Sequence, residues 1–183
     1  MASQSYQLFQ TAIADAEKLI SIFDQLPNQE TRQQNEVLKR AALVMTLTAW
    51  ESYIEAFLLE KLTKKICGIK GSFAGDFIQK KLDIEINRLH NPTSDKVKQL
   101  SQEFLQYDIT DQWRCSNTEP IQARQQLNHW LNKRGNAVHK ACASDDPKKP
   151  HLVKRDDLDK AVRFLKNWLG LRMGVCELAK GKA

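Results

Sequence analysis

"AALVMTLTAWESYIEAFLLEKL", residues 41–62, is the stretch whose reading decides the fold. Wound at 3.6 residues per turn, it is apolar on most of its circumference, where a surface helix would keep one whole side polar. A helix of that kind must be covered from several directions, so it is the central helix of a bundle. Its helical period extends from about Glu30 to Ile66, polar at the start and apolar in the middle. Two acids interrupt the apolar part, Glu51 and Glu55, and both project onto the arc of Val37, Val44, Leu58 and Leu62. Acids in such a position either seek a cation inside the bundle or lie exposed at one of its ends.

Outward from this helix the period stays near 3.6 and strand-like alternation is hard to find. A first helix is expected over about Ser5–Leu26, with Leu8, Phe9, Ile13, Ala16, Ile20 and Phe23 on one side, ended by Pro27 and Asn28. Glycines 68, 71 and 75 punctuate the exit of the central helix. A third helix follows over about Phe77–His90, carrying Phe77, Ile78, Leu82 and Leu89 and stopping before Pro92. Ser94 is placed to cap a fourth, which runs to about Tyr107. "DITDQWRCSN" connects to a fifth helix, from near Thr118 to about Ala143, with Pro120 in its first turn. "SDDPKKPH" is a turn-rich loop, and a last helix covers about Arg155–Leu178 with Leu158, Val162, Leu165, Trp168 and Leu169. The pattern predicts an all-α fold, an antiparallel bundle of about five to six helices in one domain spanning residues 1–183.

Composition narrows the function classes. Hydrophobic residues at 42% and charged residues at 27% suit a soluble globular chain. The net charge of +6 favours polyanionic partners without requiring one. Cys67, Cys115, Cys142 and Cys176 form no CxxC pair, and the four histidines show no HxxxH or HExxH spacing. The expectation is therefore no metal site, no cofactor and reduced thiols. "MASQSYQLFQ" has neither a basic nor an apolar leader segment, and no run was expected to reach membrane-spanning length. A cytoplasmic protein without a membrane partner is the expected setting. No P-loop, GxGxxG or GxSxG occurs.

The chemistry gathers on the fifth helix, in "WLNKRGNAVHKA", residues 130–141. On a helical projection Ala123, Leu127, Trp130, Leu131, Val138 and Ala141 form an apolar stripe with Arg134 in its middle. Asn128, Asn132, Gly135, Asn136 and His139 form an adjoining polar stripe. Arg134 has two open readings. It snorkels, with its stem over apolar surface and its head in water, or it meets a buried carboxylate such as Glu51 or, second, Glu55. Gly135 costs the helix about 1 kcal/mol relative to alanine. His139 leans over position 135, so the missing side chain leaves room beside the imidazole for a substrate or for a neighbouring helix.

With these residues in place, the chain resembles the HEPN superfamily, in particular its stand-alone prokaryotic ribonucleases of the RiboL-PSP-HEPN kind. "RGNAVH" matches the R-x4-6-H motif in its shortest form on a late helix. "AALVMTLTAWESYIEAFL" is similar to the family's second helix, and "LSQEFLQYDITDQW" to the segment that often precedes the motif helix. The resemblance implies a metal-independent endoribonuclease that works as a homodimer. Arg134 and His139 would be the catalytic pair, and RNA the substrate. It also implies service as a toxin opposite an antitoxin, or as a defence effector. Supporting roles fall to Asn136 and Glu51. The family often has a polar residue directly after the arginine, whereas this chain has Gly135 there and its asparagine one later. Ala141 stands where nucleotidylated members carry a tyrosine, so that form of control does not apply to this position.

Lys148, Lys149, Lys154 and Arg155 form a basic patch just after the motif helix, placed either to touch an RNA backbone or to be a solvated loop and helix start. Tyr107 and Trp113 suit base stacking or core packing. Two other readings stand beside the ribonuclease. One is a non-catalytic HEPN-like module that binds nucleotide, RNA or a protein partner. The other is a plain helical interaction protein in which "RGNAVH" is coincidence.

Overall fold

The computed structural model describes residues 3–114, 118–139 and 153–178, with side chains of the last helix described through 169. Seven α-helices follow one another among the described residues: α1 Gln4–Asp24, α2 Gln29–Gln34, α3 Val37–Lys65, α4 Phe73–Asn87, α5 Ser94–Leu105, α6 Pro120–His139 and α7 Arg155–Leu178. Short 3₁₀ turns lie at Cys67–Ile69 and Ile109–Gln112. The all-α class expected from the period is what the structure shows.

The seventh helix arises because the long second helix is broken. Asn28 caps α2 by accepting the Thr31 backbone N–H at 2.8 Å, and Arg32 donates back to the carbonyls of Leu26 and Asp24. At the other end the Asn35 side chain donates to the Thr31 carbonyl at 2.8 Å, which competes with continuation of the helix. α3 then restarts at Val37. It is also the one described helix long and apolar enough to cross a membrane by length and composition, which amends the expectation that no run would be. Half of its most apolar window is buried within the fold, as befits a core helix.

The chain divides into two compact units, Met1–Leu8 with Glu51–Asn128, and Phe9–Trp50 with His129–Ala183. In the first, Tyr53, Ile54, Leu58 and Leu62 of α3 share a core with Leu82 and Ile86 of α4, Val97 and Leu100 of α5, and Ile109 and Trp113. Trp113 is therefore a core residue, and Tyr107 is exposed. α4 begins four residues before the expected start, capped by Ser72, whose Oγ accepts the Gly75 N–H at 3.1 Å. Gly75 lies inside this helix because the Ile69 carbonyl oxygen passes 2.2 Å from where its Cβ would stand. Thr93, not Ser94, is the N-cap of α5; Ser94 is its first residue and is buried. Asn128 reaches it from α6, accepting the Ser94 N–H at 2.9 Å and donating to its Oγ at 2.8 Å.

In the second unit Phe9, Ile13, Ala16, Ile20 and Phe23 are buried as expected, while Leu8, read onto the same stripe, is exposed in the other unit. Trp50 of α3 packs on Trp168 of α7 with ring centroids 5.0 Å apart. Leu158, Val162, Leu165, Trp168 and Leu169 are all buried. The start of α7 is tied to the end of α1 by a fork: Arg155 Nε and Nη2 donate to the two Asp24 oxygens at 2.8 and 2.7 Å.

Candidate active site

α6 carries the Arg–His motif to its last turn. Leu127, Trp130, Leu131 and Ala137 are buried along it, and Arg134 sits on the same stripe, half-buried. The stripe continues through Ala137 rather than the expected Val138, which is 51% exposed. Ala141 lies outside the described residues. The neighbouring face meets solvent as expected, with Asn132, Asn136 and His139 all exposed. Asn128, read onto that face, instead caps α5 as described above.

A Cβ built on Gly135 meets no described atom within 4 Å. Packing among the described residues therefore gives no reason for a glycine here, and no described atom fills the space over which His139 leans. Arg134 and His139 are five residues apart, so they leave the helix axis about 140° apart. The structure places both on α6, about a turn and a half apart, Arg134 half-buried and His139 exposed.

The end of α6 is held in place by Lys133. Its ammonium donates to Asp157 Oδ2 of α7 and lies 5.8 Å from the Trp130 ring centroid. The same carboxylate oxygen accepts the Lys154 backbone N–H at 3.0 Å. Burial pushes the Asp157 carboxyl upward, but Lys133 and the Lys154 N–H outweigh it and hold the group below the usual carboxylate range. The sequence carries no local signal for this anchor, because residues 133 and 157 are 24 positions apart.

Of the residues expected to support the pair, Asn136 is exposed one position after Gly135. Glu51, expected opposite Arg134, uses Oε1 to accept the Asn91 backbone N–H at 2.8 Å. Asn91 has φ 55°, in the left-handed region, so this carboxylate secures the turn between α4 and α5. Glu55 is one turn further along α3. Its carboxyl is pushed up by burial and then by the negative charge of Glu51, against a smaller downward pull from His90.

The expected basic patch separates into distinct parts. Lys148 and Lys149 lie outside the described residues. Lys154 has an exposed side chain. Arg155 is committed to structure, since beyond its fork on Asp24 its Nη1 lies 2.6 Å from Asp159 Oδ1. Among the described residues no three His, Cys, Asp or Glu side chains gather as metal ligands. A surface cleft of about 320 Å³ is lined by Glu17, Ile20, Asp159, Val162, Arg163, Lys166 and Asn167, none of them in the motif.

The "LSQEFLQYDITDQW" segment proves to be a scaffold for the first half of α6. Asp108 caps the 3₁₀ turn by accepting the Thr110 N–H at 2.8 Å, and its Oδ2 lies 3.3 Å from Lys98 Nζ. Arg124 of α6 binds Asp111 and approaches Asp108 Oδ2 at 3.8 Å. Burial raises the Asp108 carboxyl, but the Thr110 hydroxyl and N–H, and then Lys98, bring it below its ordinary value.

Compared with known proteins, residues 11–169 match the family model described as RiboL-PSP-HEPN. Neither a curated protein nor a solved structure matches the chain.

Proposed function

The chain belongs to the RiboL-PSP-HEPN family, and from that premise we propose that it is a metal-independent endoribonuclease acting on single-stranded RNA. One observation carries the reading: the family's Arg–His motif ends α6, with His139 exposed beside open space at Gly135. RNA brings its own nucleophile, the 2′-hydroxyl, so few protein groups are needed. In the proposed step the 2′-oxygen bonds to phosphorus as the P–O5′ bond breaks. His139 takes the proton of the 2′-hydroxyl or supplies one to the departing O5′, and Arg134 stabilises the charge that grows on the phosphoryl oxygens. The products are a 2′,3′-cyclic phosphate and a 5′-hydroxyl.

The angular separation of Arg134 and His139 supports a composite site, formed where two copies of α6 meet across a two-fold axis, with Gly135 permitting close approach. Asn136 and Glu51 are the supporting residues in this reading, and Lys154 a backbone contact for RNA. A toxin or defence role, with an antitoxin as partner, follows only from the family. The competing reading is a HEPN-like binding module without cleavage. The glycine directly after Arg134, where the family often has a polar residue, favours it.

Incubation of the purified protein with RNA in EDTA, with analysis of product ends, separates the two. Cleavage to cyclic phosphate ends, lost in His139→Ala with unchanged circular dichroism, is expected. Strict dependence on a divalent ion would defeat the mechanism, and no cleavage of any RNA would leave the binding module. Dimers of one wild-type and one His139→Ala chain should retain far less than half the activity if the site is composite.

A further inference from the structure

α4 is apolar on two opposite sides. Gly75, Leu82 and Ile86 face the core of the first unit. On the other side Phe73 is 89% exposed, Phe77 61% and Ile84 46%, and the two phenylalanine rings lie side by side with centroids 6.4 Å apart. Two phenylalanines and an isoleucine in a continuous solvent-facing stripe mark an interaction surface rather than scattered exposure.

The spacing of the stripe identifies what fits it. With Phe73 at a heptad d position, Phe77 falls at a, Lys80 at d, Ile84 at a and Asn87 at d, the seam of a two-heptad coiled coil. The flanks are charged in a specific order. Asp76 and Asp83 occupy the g positions, and Lys81 and Arg88 the e positions. Asp76, Lys80, Lys81, Asp83, Asn87 and Arg88 are all exposed.

In a parallel pair of helices, each g residue faces the e residue of the partner's next heptad. That offset joins Asp76 to Lys81 of a second copy, and Asp83 to Arg88, with the reciprocal pairs completing the set. An antiparallel pair would set aspartate against aspartate and cation against cation. A polyphosphate or an anionic lipid surface would meet the two aspartates along one whole flank. The pairs Lys81 makes with Glu85 at 2.8 Å and Gln79 with Asp83 at 2.9 Å are exposed contacts within the helix, weak enough to exchange.

We propose that the outer face of α4 is a homotypic docking surface, on which α4 of a second copy of this chain lies parallel and in register. The occupant is the same sequence because the flanking charges complement themselves, Asp76 with Lys81 and Asp83 with Arg88, while Lys80 at the seam meets its own copy and keeps the contact weak. Three apolar residues a side make a small interface, so the association is weak and concentration-dependent.

The test is a cross-link at an a position. In a Cys67→Ser background, Ile84→Cys places each thiol opposite its own copy in the parallel register. Mild oxidation of the full chain should give a residue 84–residue 84 disulfide, identified by mass spectrometry. Asp76→Lys with Asp83→Lys should reduce its yield at least tenfold, and so should Lys81→Glu with Arg88→Glu. Mixing the two charge variants should restore it between unlike chains. All these positions are exposed, and circular dichroism checks that each variant stays folded. No cross-link with the native charges, or a yield indifferent to the charge swaps, overturns the proposal. So does a result in which Phe73→Ser and Phe77→Ser leave the self-association unchanged yet weaken binding of a labelled single-stranded RNA, which would make a polyanion the occupant.

Discussion

Gly135→Ala separates what the fold needs from what the site needs. The added Cβ meets no described atom within 4 Å, and the backbone at Gly135 is helical, so nothing among the described residues resists the methyl. Glycine inside a helix is disfavoured against alanine by about 1 kcal/mol; one turn from the end of α6, about 0.5–1 kcal/mol of stabilisation is expected. For a chain of this size that is a rise of about 1–4 °C in the melting temperature, readable by differential scanning calorimetry. RNA cleavage should move the other way. If the space beside His139 admits a phosphate or the facing α6 of a second copy, a methyl there pushes reacting groups apart. The cost in kcat/KM is then about tenfold to a hundredfold. A stabilised protein with impaired cleavage means the glycine is kept for the site. A lower melting temperature would refute the reading of open space. Full activity with higher stability would show that neither substrate nor partner uses that space.

Asp24→Asn should lower stability at pH 7 by about 1 kcal/mol, since the fork it loses is partly exposed and screened. Hydrogen bonding from Arg155 holds the Asp24 carboxyl below its ordinary value, so its contribution is full above the unfolded value of 3.8 and is lost as pH falls through the folded one. Melting curves of wild type and variant should therefore converge in acid. Glu55→Gln has the opposite sign: burial and Glu51 raise this carboxyl above 4.5, so ionising it opposes folding at neutral pH. The variant should melt higher than wild type at pH 7 and level with it near pH 4. Glu51→Ala should cost about 1.5–3 kcal/mol, the range for a hydrogen bond to a charged group, whereas Glu51→Gln keeps an oxygen for Asn91 and should cost less in the same urea titration.

How much of this was legible depended on how local the signal is. The period of α7 and the proline at the start of α6 placed those helices almost where they lie, because the information sits within one turn. The break between α2 and α3 was invisible: no glycine or proline marks it, and at it the Asn35 side chain closes on the Thr31 carbonyl. Gly75 misled for the reverse reason. It reads as punctuation, yet it is an interior helix residue, required by the approach of the Ile69 carbonyl. At the site, the positions of Arg134, Gly135 and His139 on one helix were readable from the sequence, while their reading as a motif came from the family resemblance. The Asp157 anchor and the Asn128 cap were not, since each joins segments that the sequence keeps far apart. The sequence pattern puts Phe77 on an apolar helix without assigning it a side. Only burial shows that it belongs to the outer stripe of α4.

That outer stripe and the proposed α6 pairing place a symmetry condition on each other. Each is isologous, the same patch meeting itself, so each demands its own two-fold axis. If the two axes coincide, one partner satisfies both surfaces and the assembly closes as a dimer. If they differ, every chain holds one partner through α6 and another through α4, and the assembly grows by alternation. The two cases part experimentally without any knowledge of the substrate. A coincident axis gives a dimer at every concentration, in which the charge swaps on α4 lower affinity without changing the final size. Separate axes give a dimer at low concentration that grows larger as concentration rises, and the α4 swaps stop growth at the dimer while leaving cleavage intact. Since the α4 contact is flanked by exposed ion pairs, raising ionic strength should reproduce the swap, returning larger species to dimers before activity is lost.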